Sequence, residues 1–138
     1  MISLDNQVLI AEDHMVSRHL LQRLLTNWGF NVVTAKNGQE ALSILEGENA
    51  PPLAILDWMM PKADGLEVCS RLRERTPRSQ IYLILLTAKN RTAEIEAGLE
   101  AGADDYVVKP FDPGELRARL KVGQRVVALE RALALKNL

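Results

Sequence analysis

The sequence predicts an α/β domain built on a parallel sheet. Three observations carry this reading: short continuous apolar runs that suit strands covered on both faces, stretches of helical spacing between them, and glycines and prolines in the connections. At 138 residues the chain has the length of one ordinary domain, with enough interior to need no metal or disulfide staple.

The elements follow in order. Val8-Leu-Ile-Ala11 is the first apolar run, closed by Glu12 and Asp13, and Val16, Leu20, Leu21, Leu24 and Leu25 then repeat at helical spacing up to Gly29. Asn31–Ala35 is a weaker strand, followed by a helix marked by Ala41, Leu42 and Leu45 and stopped near Gly47. After Pro51-Pro52, Ala54-Ile-Leu56 runs into Asp57; beyond Pro61, Leu66, Val68, Cys69 and Leu72 mark a third helix, with Pro77 in the next connection. Ile81–Leu86 is the strongest strand and ends at Thr87. Ile95, Leu99 and Ala103 mark a looser helix around Gly102, Asp105–Val108 is a weak fifth strand before Lys109-Pro110, and Pro113 to Asn137 reads as one long helix. Glycine near a helix end supplies a stop, and proline does least harm where no amide donor is needed.

Bulk composition excludes several classes. Apolar residues at 47% and charged residues at 25% are those of a globular fold rather than a disordered tail. A net charge of -1 provides no global basic field, so direct nucleic-acid binding by this chain is not expected. The start, Met1–Asp5, lacks a signal pattern and no apolar segment reaches membrane-spanning length, which reads as a cytoplasmic protein without membrane contact. Cys69 is the one cysteine, so no internal disulfide or thiolate cluster can form, and its helical spacing points to packing. His14 and His19 stand five residues apart, about 140° around a helix, which does not make a zinc site.

Strand–helix alternation implies right-handed crossovers and a ligand site beyond the carboxyl ends of the strands. Glu12-Asp13, Asp57, Thr87 and Lys109-Pro110 all stand at such ends. Carboxylates gathered there repel one another and call for a cation; Mg2+, which favours hard oxygen ligands and phosphate, is the natural choice. Each residue has a plainer reading as well: Glu12 or Asp13 as a helix cap, Thr87 bonded to local backbone, Lys109-Pro110 as a turn. Asp57 is harder to dismiss, because it interrupts Leu53–Leu56 and Trp58–Met60, where an unused charge is costly. The Lys109–Pro110 bond is a candidate cis peptide, since X-Pro bonds lose most of the trans preference.

Four segments, Val8–His14, Leu56–Gly65, Leu86-Thr-Ala88 and Gly102–Phe111, occur in order, and with them the chain resembles the receiver domain of two-component response regulators from Gln7 to about Gly123. The resemblance implies a flavodoxin-like, doubly wound (βα)5 sheet with strand order 2-1-3-4-5, the order that the general rule for such folds illustrates with a receiver. It implies Asp57 as phosphoacceptor, Asp13 and Asp57 as Mg2+ ligands with the Met59 carbonyl, Glu12 as a ligand through water, and Thr87 and Lys109 on the phosphoryl oxygens. It implies a sensor histidine kinase or phosphotransfer protein as donor, Met59 and Lys89 at positions that tune hydrolysis, and Tyr106 as a mobile aromatic paired with Thr87. Such a domain is regulatory, catalysing only its own phosphorylation and dephosphorylation.

A helix from Pro113 to Asn137 would run about 37 Å, twice the length of a typical strand, about 17 to 20 Å. Its last turns must overhang, so residues 1–123 are read as the receiver and 124–138 as a helical extension, a linker or a dimerisation segment. Val122, Val126, Leu129 and Leu133 follow a coiled-coil seam, and parallel dimerisation sensitive to phosphorylation is the expectation, a solvated helix end the alternative. The extension resembles links that join receivers to cyclic-di-GMP or phosphatase outputs; a stand-alone receiver is the competing organisation. An Mg2+-dependent phosphohydrolase is disfavoured because Met59 stands where haloacid-dehalogenase-type enzymes carry a second Asp. A nucleotide-binding module is disfavoured because Glu12-Asp13 would repel phosphate.

Overall fold

The computed structural model describes residues 6–75, 81–88 and 91–136; Pro77, Lys89 and Asn137 lie outside the described residues. Five strands, β1 (Gln7–Ala11), β2 (Asn31–Ala35), β3 (Leu53–Asp57), β4 (Tyr82–Thr87) and β5 (Asp105–Val108), alternate with five helices. The helices are α1 (Met15–Asn27), α2 (Gly38–Leu45), α3 (Gly65–Arg75), α4 (Thr92–Ala101) and α5 (Pro113–Lys136). The strands form one parallel sheet in the order β2-β1-β3-β4-β5. This is the flavodoxin-like order that the resemblance implies.

The sheet is wound on both faces because its strands alternate apolar side chains two ways. Val8, Ile10, Leu53, Ile55, Ile84 and Leu86 pack on Leu21 and Leu25 of α1 and on Leu116 and Leu120 of α5. Leu9, Ala11, Ala54, Leu56, Leu83 and Leu85 pack on α2 and α3 through Ala41, Leu45, Val68 and Leu72. The central strands β3 and β4 are buried throughout, whereas β2 and β5 are partly exposed. Edge position explains why the outer two read weakly in sequence. The fourth strand starts and ends one residue later than its apolar run, since Thr87 still pairs with Val108 of β5.

Two local departures matter for the site. Of the α1 apolar set, Leu21 and Leu25 are buried, but Val16 and Leu20 face outward, and the third buried position is Arg18. The cap of α1 is His14, whose side chain accepts from the Ser17 N–H, so neither Glu12 nor Asp13 caps this helix. That leaves both carboxylates directed to other uses.

Gly102 and Asp104, within one of the signature segments, are structural. Arg73 donates from Nε to the Gly102 carbonyl at 2.9 Å and from Nη1 to the Ile81 carbonyl at 3.2 Å, and pairs with Asp104 at 2.8 Å. Gly102 has a φ of 120°, and a Cβ there would collide with the Arg73 side chain, so both backbone and space require glycine. The staple fixes the end of α3 to the α4–β5 connection.

Helix α5 rests on the sheet through Leu116, Leu120, Gly123 and Val127. A Cβ at Gly123 would come within 2.7 Å of the Tyr82 ring and 2.9 Å of Leu53 Cδ2, so this glycine lets the helix approach the sheet and is no breaker. The helix continues past Val127 to Lys136. No helix among the described residues is long and apolar enough to cross a membrane.

Burial in α3 pushes the Cys69 thiol up to about 12, so it stays protonated at neutral pH and is a poor nucleophile. Dithionitrobenzoate is expected to leave the native protein unmodified and to titrate one thiol in denaturant; rapid reaction without denaturant would contradict the packing.

Candidate functional site

The carboxyl ends of β1 and β3 bring three acids together. One ligand oxygen from each of Glu12, Asp13 and Asp57 lies within 4.8 Å of the others. Glu12 and Asp57 are buried and Asp13 is exposed. Asp57 closes β3, in register with Leu86, and the Trp58 N–H continues the ladder to the Leu86 carbonyl at 3.0 Å. The loop then folds back, with the Gly65 N–H donating to the Trp58 carbonyl at 2.8 Å; a Cβ on Gly65 would come within 2.6 Å of the Asp57 carbonyl oxygen. Met59 in this loop turns its side chain to solvent, 66% exposed.

The other two acids are held by their backbone. The Glu12 N–H donates to the Ala35 carbonyl at 3.1 Å, extending the β1–β2 ladder by one residue. Arg18 Nη1 donates to the carbonyls of Glu12 at 3.0 Å and Asp13 at 3.3 Å. This guanidinium, on a residue 8% exposed, thus pins both residues of the acidic pair. Sequence reading missed it, because an arginine in an amphipathic helix usually faces water. Its spacing from Leu21 and Leu25, three and seven residues on, was the available signal.

Lys109 supplies the compensating charge. Its Nζ is 2.9 Å from Asp57 Oδ1 and 3.5 Å from Glu12 Oε1. The Lys109 N–H donates to the Thr87 carbonyl at 2.7 Å, and the Lys109–Pro110 peptide is cis. Partial burial alone would lower the lysine pKa, but the hydrogen bond to Asp57 and the charges of Asp57 and Glu12 outweigh it and raise the pKa. Burial, then the hydrogen bond and charge of Asp57, raise the Glu12 carboxyl above the usual range, with Lys109 and the His14 N–H opposing. The cluster therefore holds the Glu12 proton more tightly than a solvated glutamate would.

Thr87 is buried at the end of β4, paired with Val108, and Tyr106 sits half-buried on the adjacent strand against the α2–α3 core. Glu12, Ser17, Leu20, Leu86, Lys109 and Phe111 line a groove of about 560 Å³ beside the acids. Met15, Val16 and Leu20 are exposed along α1. The structure gathers Glu12, Asp13, Asp57 and Lys109 at one edge. Val122, Leu129 and Leu133 are exposed on α5 and Val126 is half-buried there, outside this cluster. The donor set fits a hard divalent cation: three carboxylate oxygens within coordinating reach and, among the described residues, the Lys109 ammonium beside them.

Comparison with known proteins agrees with this geometry. The family model for the response regulator receiver domain matches residues 8–121. The probable transcriptional regulator ycf27 of Cyanophora paradoxa is 48% identical over 115 residues, covering 83% of this chain and 46% of that protein. The alkaline phosphatase synthesis transcriptional regulatory protein PhoP of Bacillus subtilis is 42% identical over 118 residues, covering 86% and 48%. The chain thus spans about half the length of these curated relatives. Among solved structures, a Francisella response regulator receiver domain superposes with a TM-score of 0.80 at 30% identity, covering 87% of this chain and 97% of that one. A probable response regulator/GGDEF domain protein gives 0.82 at 30% identity, covering 91% and 51%. The match over residues 8–121, to a domain whose signature segments meet at this sheet edge, makes the chain a member of the response regulator receiver family, the regulatory receiving module of two-component signalling.

Proposed function

We propose that Asp57 is the phosphoryl acceptor of this receiver, that Glu12, Asp13, Asp57 and the Met59 carbonyl hold Mg2+, and that Thr87 and Lys109 take the phosphoryl oxygens. The observation that carries this reading is the convergence of three carboxylates within 4.8 Å beside the Lys109 ammonium, 2.9 Å from Asp57. A bound Mg2+ would neutralise charge on the carboxylates and on the phosphoryl oxygens.

The chain's own residues supply placement and charge. An Asp57 carboxylate oxygen attacks phosphorus in line, forming the O–P bond as the N–P bond to the donor histidine breaks and the imidazole nitrogen leaves with the electron pair. Lys109, already beside Asp57, follows the charge onto the equatorial oxygens, and the Thr87 hydroxyl donates to one of them. In the resetting step water attacks phosphorus, forming a new O–P bond as the Asp57 O–P bond breaks and the carboxylate leaves with the electron pair, giving inorganic phosphate. Met59, exposed at the mouth, offers no acid or base to activate that water, which also counts against turnover of outside substrates as a phosphohydrolase.

The exposed apolar side chains Met15, Val16 and Leu20 of α1, the last of which lines the groove together with Glu12 and Lys109, suit docking of a helical donor, a sensor histidine kinase or phosphotransfer protein. Movement of Thr87 toward phosphate would draw Tyr106 inward, and a coupling of about 1 to 3 kcal/mol shifts such an equilibrium about 5- to 150-fold. Longer relatives are named transcriptional regulators, and one structural neighbour is named a response regulator/GGDEF domain protein. For this chain, α5 is the element that would pass the change to an output domain or partner.

Three measurements test the site. Acetyl phosphate with Mg2+ is expected to add one phosphoryl group by intact mass, and Asp57→Asn to add none; equal labelling of that variant would refute the assignment. Because the Glu12 pKa is raised, the metal-free fold holds its proton more tightly than the unfolded chain. This contribution to stability is present at low pH and is lost as pH rises through the raised value. Mg2+ must displace the proton, so its affinity, followed by Trp58 fluorescence, should fall as pH drops through the same window. Glu12→Gln is expected to raise the metal-free melting midpoint by a few degrees at pH 8 and to flatten both pH dependences. Arg18→Met should weaken Mg2+ binding about tenfold, the scale of lost outer-shell support. Arg18→Lys should recover part of it, and unchanged affinity in Arg18→Met would show that the guanidinium serves the fold alone.

A further inference from the structure

The turn after β2 touches both halves of the acidic site. At its start the Ala35 carbonyl accepts the Glu12 N–H at 3.1 Å. At its end the Gly38 N–H reaches the Pro61 carbonyl at 3.4 Å, in the loop that follows Asp57 and carries Met59. Between these contacts the turn is closed on itself. Asn37 Oδ1 accepts the Glu40 N–H at 2.8 Å and the Glu40 carboxylate accepts the Lys36 N–H at 3.1 Å, reciprocal caps that fix the first turn of α2.

Gly38 is where the turn and the loop meet backbone to backbone. It is buried, and a Cβ built on it would overlap the Ala63 carbonyl oxygen and come within 2.6 Å of the carbonyl carbon and 2.8 Å of the Ala63 Cβ. Glycine is needed here for room, since its φ lies outside the left-handed region. The opposing loop is anchored as well: Ala63 is buried in the α2–α3 core, Met60 packs against that core, and the Gly65 N–H closes the loop on the Trp58 carbonyl. Lys62, between Met60 and Ala63, already has a φ of 71°, which a residue with a side chain adopts only where its surroundings impose it.

We infer that Gly38 is a positioning residue for the metal site: through Pro61 and Ala63 it sets the spacing between the Met59 loop and the end of β1, and so selects Mg2+ over Ca2+. The role rests on the ligand set proposed for Mg2+. Glu12 is tied to Ala35 and the loop is seated on Gly38, so the short turn from one to the other is a spacer between two groups of ligands. Mg2+ demands near-ideal octahedral geometry at about 2.0 to 2.1 Å, whereas Ca2+ accepts about six to eight oxygens at about 2.3 to 2.6 Å in flexible arrangements. A spacer of fixed length therefore matters more to the smaller ion. A methyl group at position 38 would press on backbone from both sides, and whichever side yields, the spacing changes.

The full chain titrated with Mg2+ and with Ca2+, followed by Trp58 fluorescence, tests this role. Gly38→Ala is expected to lower Mg2+ affinity about tenfold, the scale of lost outer-shell support, and Ca2+ affinity about twofold, so that the ratio of the two falls about fivefold. Gly47→Ala, where a Cβ meets nothing closer than 3.4 Å, is the control and should leave both affinities unchanged. Without metal, hydrogen exchange at the Gly65 N–H should quicken in Gly38→Ala and not in the control. Should Gly38→Ala fail to fold, Asn37→Ala opens the cap without adding volume and is expected to lower the same ratio about twofold. An unchanged ratio, an equal loss of both ions, or Gly65 exchange that matches the control would overturn the role of Gly38 and leave the reading of the acidic site standing. A wild-type chain that binds neither ion would overturn both.

Discussion

Like charge held at the edge of an apolar sheet is the constraint around which this domain is organised. Glu12 and Asp57 are buried beside one another and beside Asp13, and such carboxylates repel unless something positive or protonated stands among them. Lys109 answers from just beyond β5, two strands away from β3, with contacts to both buried acids. Arg18 answers from below, through carbonyls rather than carboxylates. Strand order, the turn at Lys109 and the first turns of α1 are all conditions for that compensation to be in place.

The same constraint explains why the resting site is poised. A carboxyl whose pKa is raised by burial and a like-charged neighbour would gain from a cation, and a lysine already bonded to Asp57 would be in place if charge developed there. Little has to be reorganised at the moment of reaction, which is where preorganised charge contributes most. The supporting groups are rigid: the loop after Asp57 is closed by the Gly65 N–H, and α4 packs so tightly behind it that a Cβ on Gly98 would come within 3.4 Å of the Trp58 ring.

Much of this is legible in the sequence. Val8–Ala11, Ala54–Leu56 and Ile81–Leu86 announce buried strands by continuous apolarity, and their polar terminators lie at one edge as soon as the strands are parallel. The outer strands Asn31–Ala35 and Asp105–Val108 were fainter because half of each meets water or a single neighbour. What periodicity could not separate was function from packing within one helix. In α1 the apolar spacing included Val16 and Leu20, which face outward beside the site, and omitted Arg18, which faces inward; a buried cation satisfied by two carbonyls leaves no hydrophobic trace. Gly123 likewise leaves no mark in the apolar spacing of its helix, although its missing side chain is what admits Leu53 and Tyr82. Contacts between distant segments decide such positions, and spacing along one segment does not report them.

That glycine also fixes where α5 goes. Leu53 and Tyr82 are the first residues of β3 and β4, so the helix passes over the amino ends of the strands before it leaves the domain, while Asp57 and Thr87 close the opposite ends. A donor at the acidic edge and an output on α5, as proposed, would therefore occupy opposite poles of the molecule. A kinase seated over α1 and the acidic edge would not have to leave before anything assembled on the departing helix, so that loading and readout would be separable in time.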